Sequence, residues 1–289
     1  MDIKIIFLIL VPLATAFLIP LIDLINAKLR RFFVLLGILL ESYFIISIIL
    51  NNFQSLKNGD FFLQYYLGGW HPPIGISLAM DGLSLLFAVI TVLSLFLIVI
   101  YSIGYIGHHE GKYYVLYFLI AAASMGVILT ADMFNIYVFI EMLTITSGAL
   151  IGFKRSQEAS AAAIKYLIYN VLAGLLFFLG VLLIYFNLGT LNMADISQNF
   201  ASLESGIQLF ISAIFLTAIF IKMGIFPFFF WLPKSYDTAP SPVTAVLSGI
   251  LSKVYLYIFI RIFWTVIGFE TLKSLNLNIL LLDLALLSS

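Results

Sequence analysis

Residues 82–105 read GLSLLFAVITVLSLFLIVIYSIGY, twenty-four positions without one charged side chain. As an α-helix rising ~1.5 Å per residue the stretch reaches about 36 Å, more than the roughly 30 Å of a bilayer's hydrocarbon core. Barrel strands would instead show ~10-residue segments of alternating polarity. Working outward, the same pattern recurs at about 5–25, 32–51, 113–131, 133–152, 161–186, 207–230 and 241–267. A ninth apolar run, Leu275 to Leu287, is too short to span. The spacing predicts an all-α polytopic membrane protein with about eight transmembrane helices and a partial ninth. No linker rich in Ser, Pro or charge interrupts it, so residues 1–289 read as one membrane domain.

Composition narrows the function. The chain is 63% apolar and 10% charged, against roughly 25% charged in soluble domains, so it cannot solvate a globular surface. A water-soluble enzyme is excluded. With 14 Lys+Arg against 14 Asp+Glu there is no field to attract phosphates, which excludes a nucleic-acid binder. The chain has no cysteine, so it holds no disulfide, thiolate zinc site or iron–sulfur cluster. The first apolar run continues past Pro20 to Ile25, beyond the length of a signal-peptide core, and is expected to be retained as a helix. Lys28, Arg30, Arg31, Lys112, Lys154, Arg155 and Lys234 fall in alternate connections from those of Lys57 and Lys273. By the positive-inside rule the first set faces the cytoplasm and the N-terminus lies outside, in a cell membrane crossed many times.

Segment seven differs from the others. Lys222-Met223-Gly224-Ile225-Phe226-Pro227 interrupts an apolar run. Pro227 cannot donate to the carbonyl four residues back and clashes there, and Gly224 eases a bend. A broken helix with a lysine at the break is a cue to a transporter's ion site, although proline kinks also occur in ordinary membrane helices.

Charges at mid-membrane are costly, about 2.5–3.5 kcal/mol each on insertion scales. Glu141 lies ~14 Å into segment five and Lys253 ~18 Å into segment eight, by helix rise. With Lys222, these two bases and one acid predict a buried polar path in which Glu141 pairs with a lysine. Burial opposes ionisation of both partners while the opposite charge restores it, so moving the carboxylate away lets the lysine release its proton. The rival reading is a static ion pair, a poor stabiliser when buried.

Other polar residues leave alternatives open. Lys253, Tyr257 and Arg261 recur every four residues along one stripe, or Arg261 snorkels to the interface. Lys165 is a relay member or an anchor; Glu41, in the middle of segment two, is a candidate to face a partner subunit. Asp81 and Asp132 sit at helix starts and suit capping. His71 stands apart from His108 and His109, and no phosphate-binding glycine loop is present. No cofactor is therefore expected.

The motifs Gly68-Gly69-Trp70 to Gly75 and Met80-Asp81-Gly82-Leu83-Ser84 carry a family likeness. So do Leu129-Thr130-Ala131-Asp132-Met133-Phe134-Asn135 leading to Glu141, Ala163-Ile164-Lys165-Tyr166-Leu167 with Asn170, and Gly189-Thr190-Leu191-Asn192-Met193-Ala194-Asp195. The most specific run is Lys222-Met223-Gly224, Phe226-Pro227, Trp231-Leu232-Pro233, Ala239-Pro240-Ser241-Pro242 and Leu251-Ser252-Lys253-Val254. Together these resemble the antiporter-like subunits shared by Mrp-type Na⁺/H⁺ antiporters, respiratory complex I and membrane-bound hydrogenases, the D-type Mrp subunit most of all. The resemblance implies three N-terminal helices over 1–110, a five-helix half-channel repeat over 111–267 with a broken seventh helix, and the start of a second repeat over 268–289. It implies proton passage from Glu141 and Lys222 toward Lys253, tuned by Lys165, with Na⁺ as a candidate counter-ion and other membrane subunits as partners. Two family histidines are replaced, by Phe229 and Tyr236. The family's second inverted repeat is missing, which raises a truncated or split gene product, and a non-conducting scaffold is the alternative function. A quinone-binding or flavin-binding role is disfavoured by its missing ligands.

Overall fold

The computed structural model describes residues 3–106 and 110–277. His108, His109 and most of the run from Leu275 to Leu287 lie outside the described residues. Among the described residues, eight helices are long and apolar enough to cross a membrane. They are α1 (Lys4–Asp23), α2 (Ala27–Asn51), α4 (Gly82–Ser102), α5 (Glu110–Leu129), α6 (Met133–Ile151), α7 (Gln157–Leu188), α9 (Ser205–Met223) and α11 (Ser241–Val266). Each coincides with one of the eight expected segments. Three short helices interleave: α3 (Phe53–Asn58), α8 (Met193–Asn199) and α10 (Leu232–Thr238).

The polar connection 51–78 does more than turn. Phe62–Tyr66 (β1) and Ser77–Asp81 (β2) pair antiparallel, with Phe62 opposite Asp81 and Tyr66 opposite Ser77. Five-residue strands with most positions half-buried carry too little alternation to betray themselves in sequence. The 130–132 connection is stitched to this hairpin and to α8's start. Ala131 N–H donates to Ser77, Met133 N–H to Leu191, and Met193 N–H back to Ala131. One end of the bundle, the hairpin end, is thereby sealed by backbone hydrogen bonds, as irregular chain beside lipid requires.

α5 occupies the centre and is buried almost all round, packed by α1, α4, α6 and α11; α7 bridges α6 and α9. Alanines 121–123 and Gly126 let neighbours approach closely, as small residues do in membrane bundles. Starts are capped by side chains: Asn26 on α2, Asp81 on α4, Asp132 on α6 and Ser156 on α7 each accept from a first-turn N–H.

Segment seven ends earlier than its apolar run suggests. α9 stops at Met223, and Gly224 takes a left-handed φ of 67° as its cap. Gly224 N–H donates to the Ile221 carbonyl and Ile225 N–H to that of Phe220, a Schellman ending. The break therefore belongs to Gly224; Pro227 lies three residues beyond, in the connection to α10.

Candidate functional site

Lys222 stands in the last turn of α9, its side chain 1% exposed. Three polar groups surround its ammonium. Nζ donates to Thr144 Oγ1 at 2.9 Å and to the Asn170 carbonyl at 2.9 Å, and Glu141 Oε1 lies 3.7 Å away. Thr144 is one turn past Glu141 on α6 and donates its own hydroxyl proton to the Ile140 carbonyl, which leaves a lone pair aimed at Lys222. Asn170 belongs to α7, so three helices converge on one nitrogen.

Glu141 is held differently. Its side chain is 23% exposed, and the buried Oε1 accepts no hydrogen bond among the described residues. The carboxyl fits because α7 presents Gly174, where an added Cβ would stand 1.8 Å from Oε1. The pair is in contact by charge without a direct hydrogen bond, and each partner has its own packing.

Beyond Lys222 a void of about 10 Å³ is lined by Tyr166, Trp231, Tyr236, Ser252 and Tyr255, close to the smallest space that holds a water. Tyr255 presents its ring 6.0 Å from Nζ. The Tyr166 and Tyr255 hydroxyls, buried here, have no hydrogen-bond partner among the described residues. Trp231 Nε1 donates to the Ile221 carbonyl at 2.9 Å, satisfying an acceptor at the broken helix end. Burial pushes the Tyr236 phenol up, with the Ser252 hydroxyl opposing.

Of the residues expected in a path, the structure unites Glu141 and Lys222 with Gly224 at the break. Lys253 does not join them: it is exposed and donates to the Ser248 carbonyl at 2.6 Å across a π-helical turn of α11. Lys165 is exposed on α7. Glu41 turns into the chain's own interior and is fully buried, not toward a partner. Arg261 neither continues a stripe with Lys253 nor snorkels. Its guanidinium grips Asp81 with two bonds of 2.7 Å and its Nε donates to the Tyr257 hydroxyl, which donates to the Ile128 carbonyl. These groups wall a separate cavity of about 250 Å³ at the hairpin end, with Gln64, Asn192 and Thr265. Sequence reasoning overlooked Thr144, Gly174 and Tyr255; the i,i+3 placement of Thr144 behind Glu141 was the available signal.

The NADH:quinone oxidoreductase/Mrp antiporter transmembrane family matches residues 130–288. The chain is 33% identical to the D-type subunit of the Na⁺/H⁺ antiporter of Bacillus subtilis (strain 168), over 96% of its own length and 56% of that protein's. It is 35% identical to the N-type subunit of the NADH-quinone oxidoreductase of Desulforudis audaxviator (strain MP104C), over 70% of this chain and 41% of the relative. Among solved structures it superposes with TM-score 0.85 and 30% identity on a chain of an archaeal membrane-bound sulfane sulfur reductase, covering 94% of this chain and 56% of that one. With a chain of the Mrp complex from Dietzia sp. DQ12-45-1b the TM-score is 0.80 at 25% identity, covering 92% and 50%. The chain spans about half the length of the curated relatives it matches.

Proposed function

The chain belongs to the NADH:quinone oxidoreductase/Mrp antiporter family of membrane proteins, and from that membership we propose that it is a proton-translocating membrane subunit of a multisubunit cation antiporter or respiratory complex. One observation carries the reading: a lysine 1% exposed, at the end of a broken helix, 3.7 Å from a carboxylate that no hydrogen bond ties to it. Ions are costly inside a membrane and concentrate on pathways. A pair joined by charge and lodged on separate helices can be parted without breaking a hydrogen bond between them. With Glu141 near, Lys222 keeps its proton; with Glu141 withdrawn, a dehydrated ammonium gives it up. Thr144 and the Asn170 carbonyl orient Nζ throughout, and the void toward Tyr255 and Ser252 leads to α11.

Lys253 lies further along α11 on an exposed face, so in this reading it receives protons only where another part of the assembly covers that face. The N-terminus is placed outside on the charge of the connections, and Na⁺ exchange is proposed from the relatives' names. The test is Lys222→Ala in the reconstituted parent complex. Formation of a pH gradient should be lost while assembly persists. Unchanged pumping, repeated with Glu141→Gln, would instead favour a non-conducting scaffold.

A further inference from the structure

A second acid is buried more completely than Glu141 and takes no part in the site above. Glu41, at the middle of α2, is 0% exposed, and neither carboxylate oxygen accepts a hydrogen bond among the described residues. Gly37, one turn earlier, is pressed between Thr15 of α1 and Phe118 of α5, so this face of α2 looks into the bundle's centre. No ion pair to Glu41 is found among the described residues; the Lys4 ammonium donates to Ser47 of α2, and the charged residues of α5, Glu110 and Lys112, lie in its first turn. α1 carries Lys4 and Asp23 at its ends and nothing charged between them; α4 carries no charged residue at all. Within α2 the bases are Lys28, Arg30 and Arg31, near its start. Among the described residues the Tyr117 phenol of α5, beside the Phe118 that packs on Gly37, is close enough to feel the Glu41 charge, without a hydrogen bond between them.

Tyr117 is not isolated. Tyr113 lies one turn away with ring centroids 5.9 Å apart, and Tyr114 is 5.2 Å from Tyr113; all three rings are fully buried. Tyr114 bonds Ser102 at 3.1 Å and feels the charges of Glu110, Arg31 and Arg30. Those three form an ion-paired cluster with Asp23 at the bundle end opposite the hairpin. Arg31 is half exposed there, which connects the cluster to its surroundings. Three packed, buried phenol rings thus lie between the charged, accessible end of α5 and the level of Glu41; their hydroxyls do not bond one another, and that of Tyr113, like the Glu41 oxygens, has no partner among the described residues. The Tyr117 hydroxyl donates to the Leu95 carbonyl, which leaves its lone pairs uncommitted.

An ionised carboxylate with no donor and no counter-charge is strongly disfavoured in an apolar interior, whereas the neutral acid is tolerated. A leucine would fill the same space at no such cost. We propose that Glu41 is a second proton-holding carboxyl of this chain, exchanging its proton with the Glu110 end along Tyr117, Tyr113 and Tyr114, apart from the Glu141–Lys222 pair.

Infrared spectroscopy of the full-length chain in lipid tests this directly. A carbonyl stretch of a protonated carboxyl should be present at neutral pH, persist in Glu141→Gln, and vanish in Glu41→Gln, a nearly isosteric change. Transfer to D₂O should shift that band, and Tyr117→Phe, which removes only the hydroxyl, should slow the shift about tenfold. No band sensitive to Glu41→Gln would show an ionised carboxylate and overturn the proposal. So would a band that never shifts in D₂O, or one whose shift is as fast without the Tyr117 hydroxyl.

Discussion

Lys222 spends two of its three protons on fixed acceptors, Thr144 Oγ1 and the Asn170 carbonyl, and faces Glu141 with what remains. The carboxylate is the movable partner: it is the more exposed of the two and lies in a notch that exists because residue 174 has no side chain. Gly174→Ala therefore separates helix stability from ion handling. Alanine favours a helix interior by about 1 kcal/mol over glycine, so α7 itself should not suffer. Its methyl group, however, claims the place of Oε1 and drives the carboxyl off Lys222. Gradient formation by the parent complex should fall nearly as far as with Glu141→Gln, while the thermal unfolding midpoint stays at or near that of the unaltered protein. Normal transport would mean that the notch has no role. At this scale the charged pair was legible in the sequence because ions inside apolar runs are conspicuous. Thr144 and Gly174 were not: a threonine or glycine in a membrane helix has no cost that marks it out, and only packing reveals what it touches.

Among the elements, α9 and its continuation matter most. Spans were readable throughout, since twenty apolar residues in a row leave little choice in lipid. The extent of α9 was not, because Phe226 to Phe230 are as apolar as the helix before them, and hydropathy cannot see a chain reversal. Backbone geometry decides it. Gly224 holds φ at 67°, the Ile221 and Phe220 carbonyls are closed by Gly224 and Ile225, and Trp231 folds back to donate again to Ile221. Gly224→Ala should then cost about 1–2 kcal/mol from the left-handed conformation. Its Cβ would also stand 3.0 Å from Leu232, so α10 must shift slightly. Thermal unfolding of the chain in detergent should report the loss. Because Lys222 sits two residues before the cap, transport should weaken as well, whereas Pro227→Ala, outside the helix, should leave the α9 ending in place. Equal stability of Gly224→Ala and the unaltered chain would argue that proline, not glycine, stops α9.

At the scale of the whole molecule, an ion pair joins two helices far apart in the sequence. Asp81 joins β2 to α4, and Arg261 lies 180 positions later in α11, yet the two meet through paired bonds of 2.7 Å. Neither periodicity nor motif spacing could show this, because each residue has a sufficient local explanation: Asp81 caps α4 with Ser84, and an arginine near a helix end is ordinary in membranes. Burial alone pushes the Asp81 carboxyl up, but the Arg261 guanidinium and the Ser84 N–H and hydroxyl more than offset it and hold the group well below the usual carboxylate range. A carboxyl held low in the folded state stabilises the fold fully above its unfolded value near pH 4, and loses that contribution as the pH falls toward the lowered value. Asp81→Asn should cost about 2 kcal/mol at neutral pH, less than a fully buried pair because a third of the Asp81 side chain is exposed. Unfolding curves of the two proteins in detergent should keep a constant separation from pH 8 to about pH 5 and converge only below about pH 4. Convergence already near pH 6, or a separation undiminished at pH 3, would show that something other than the Asp81 charge joins the hairpin end to α11.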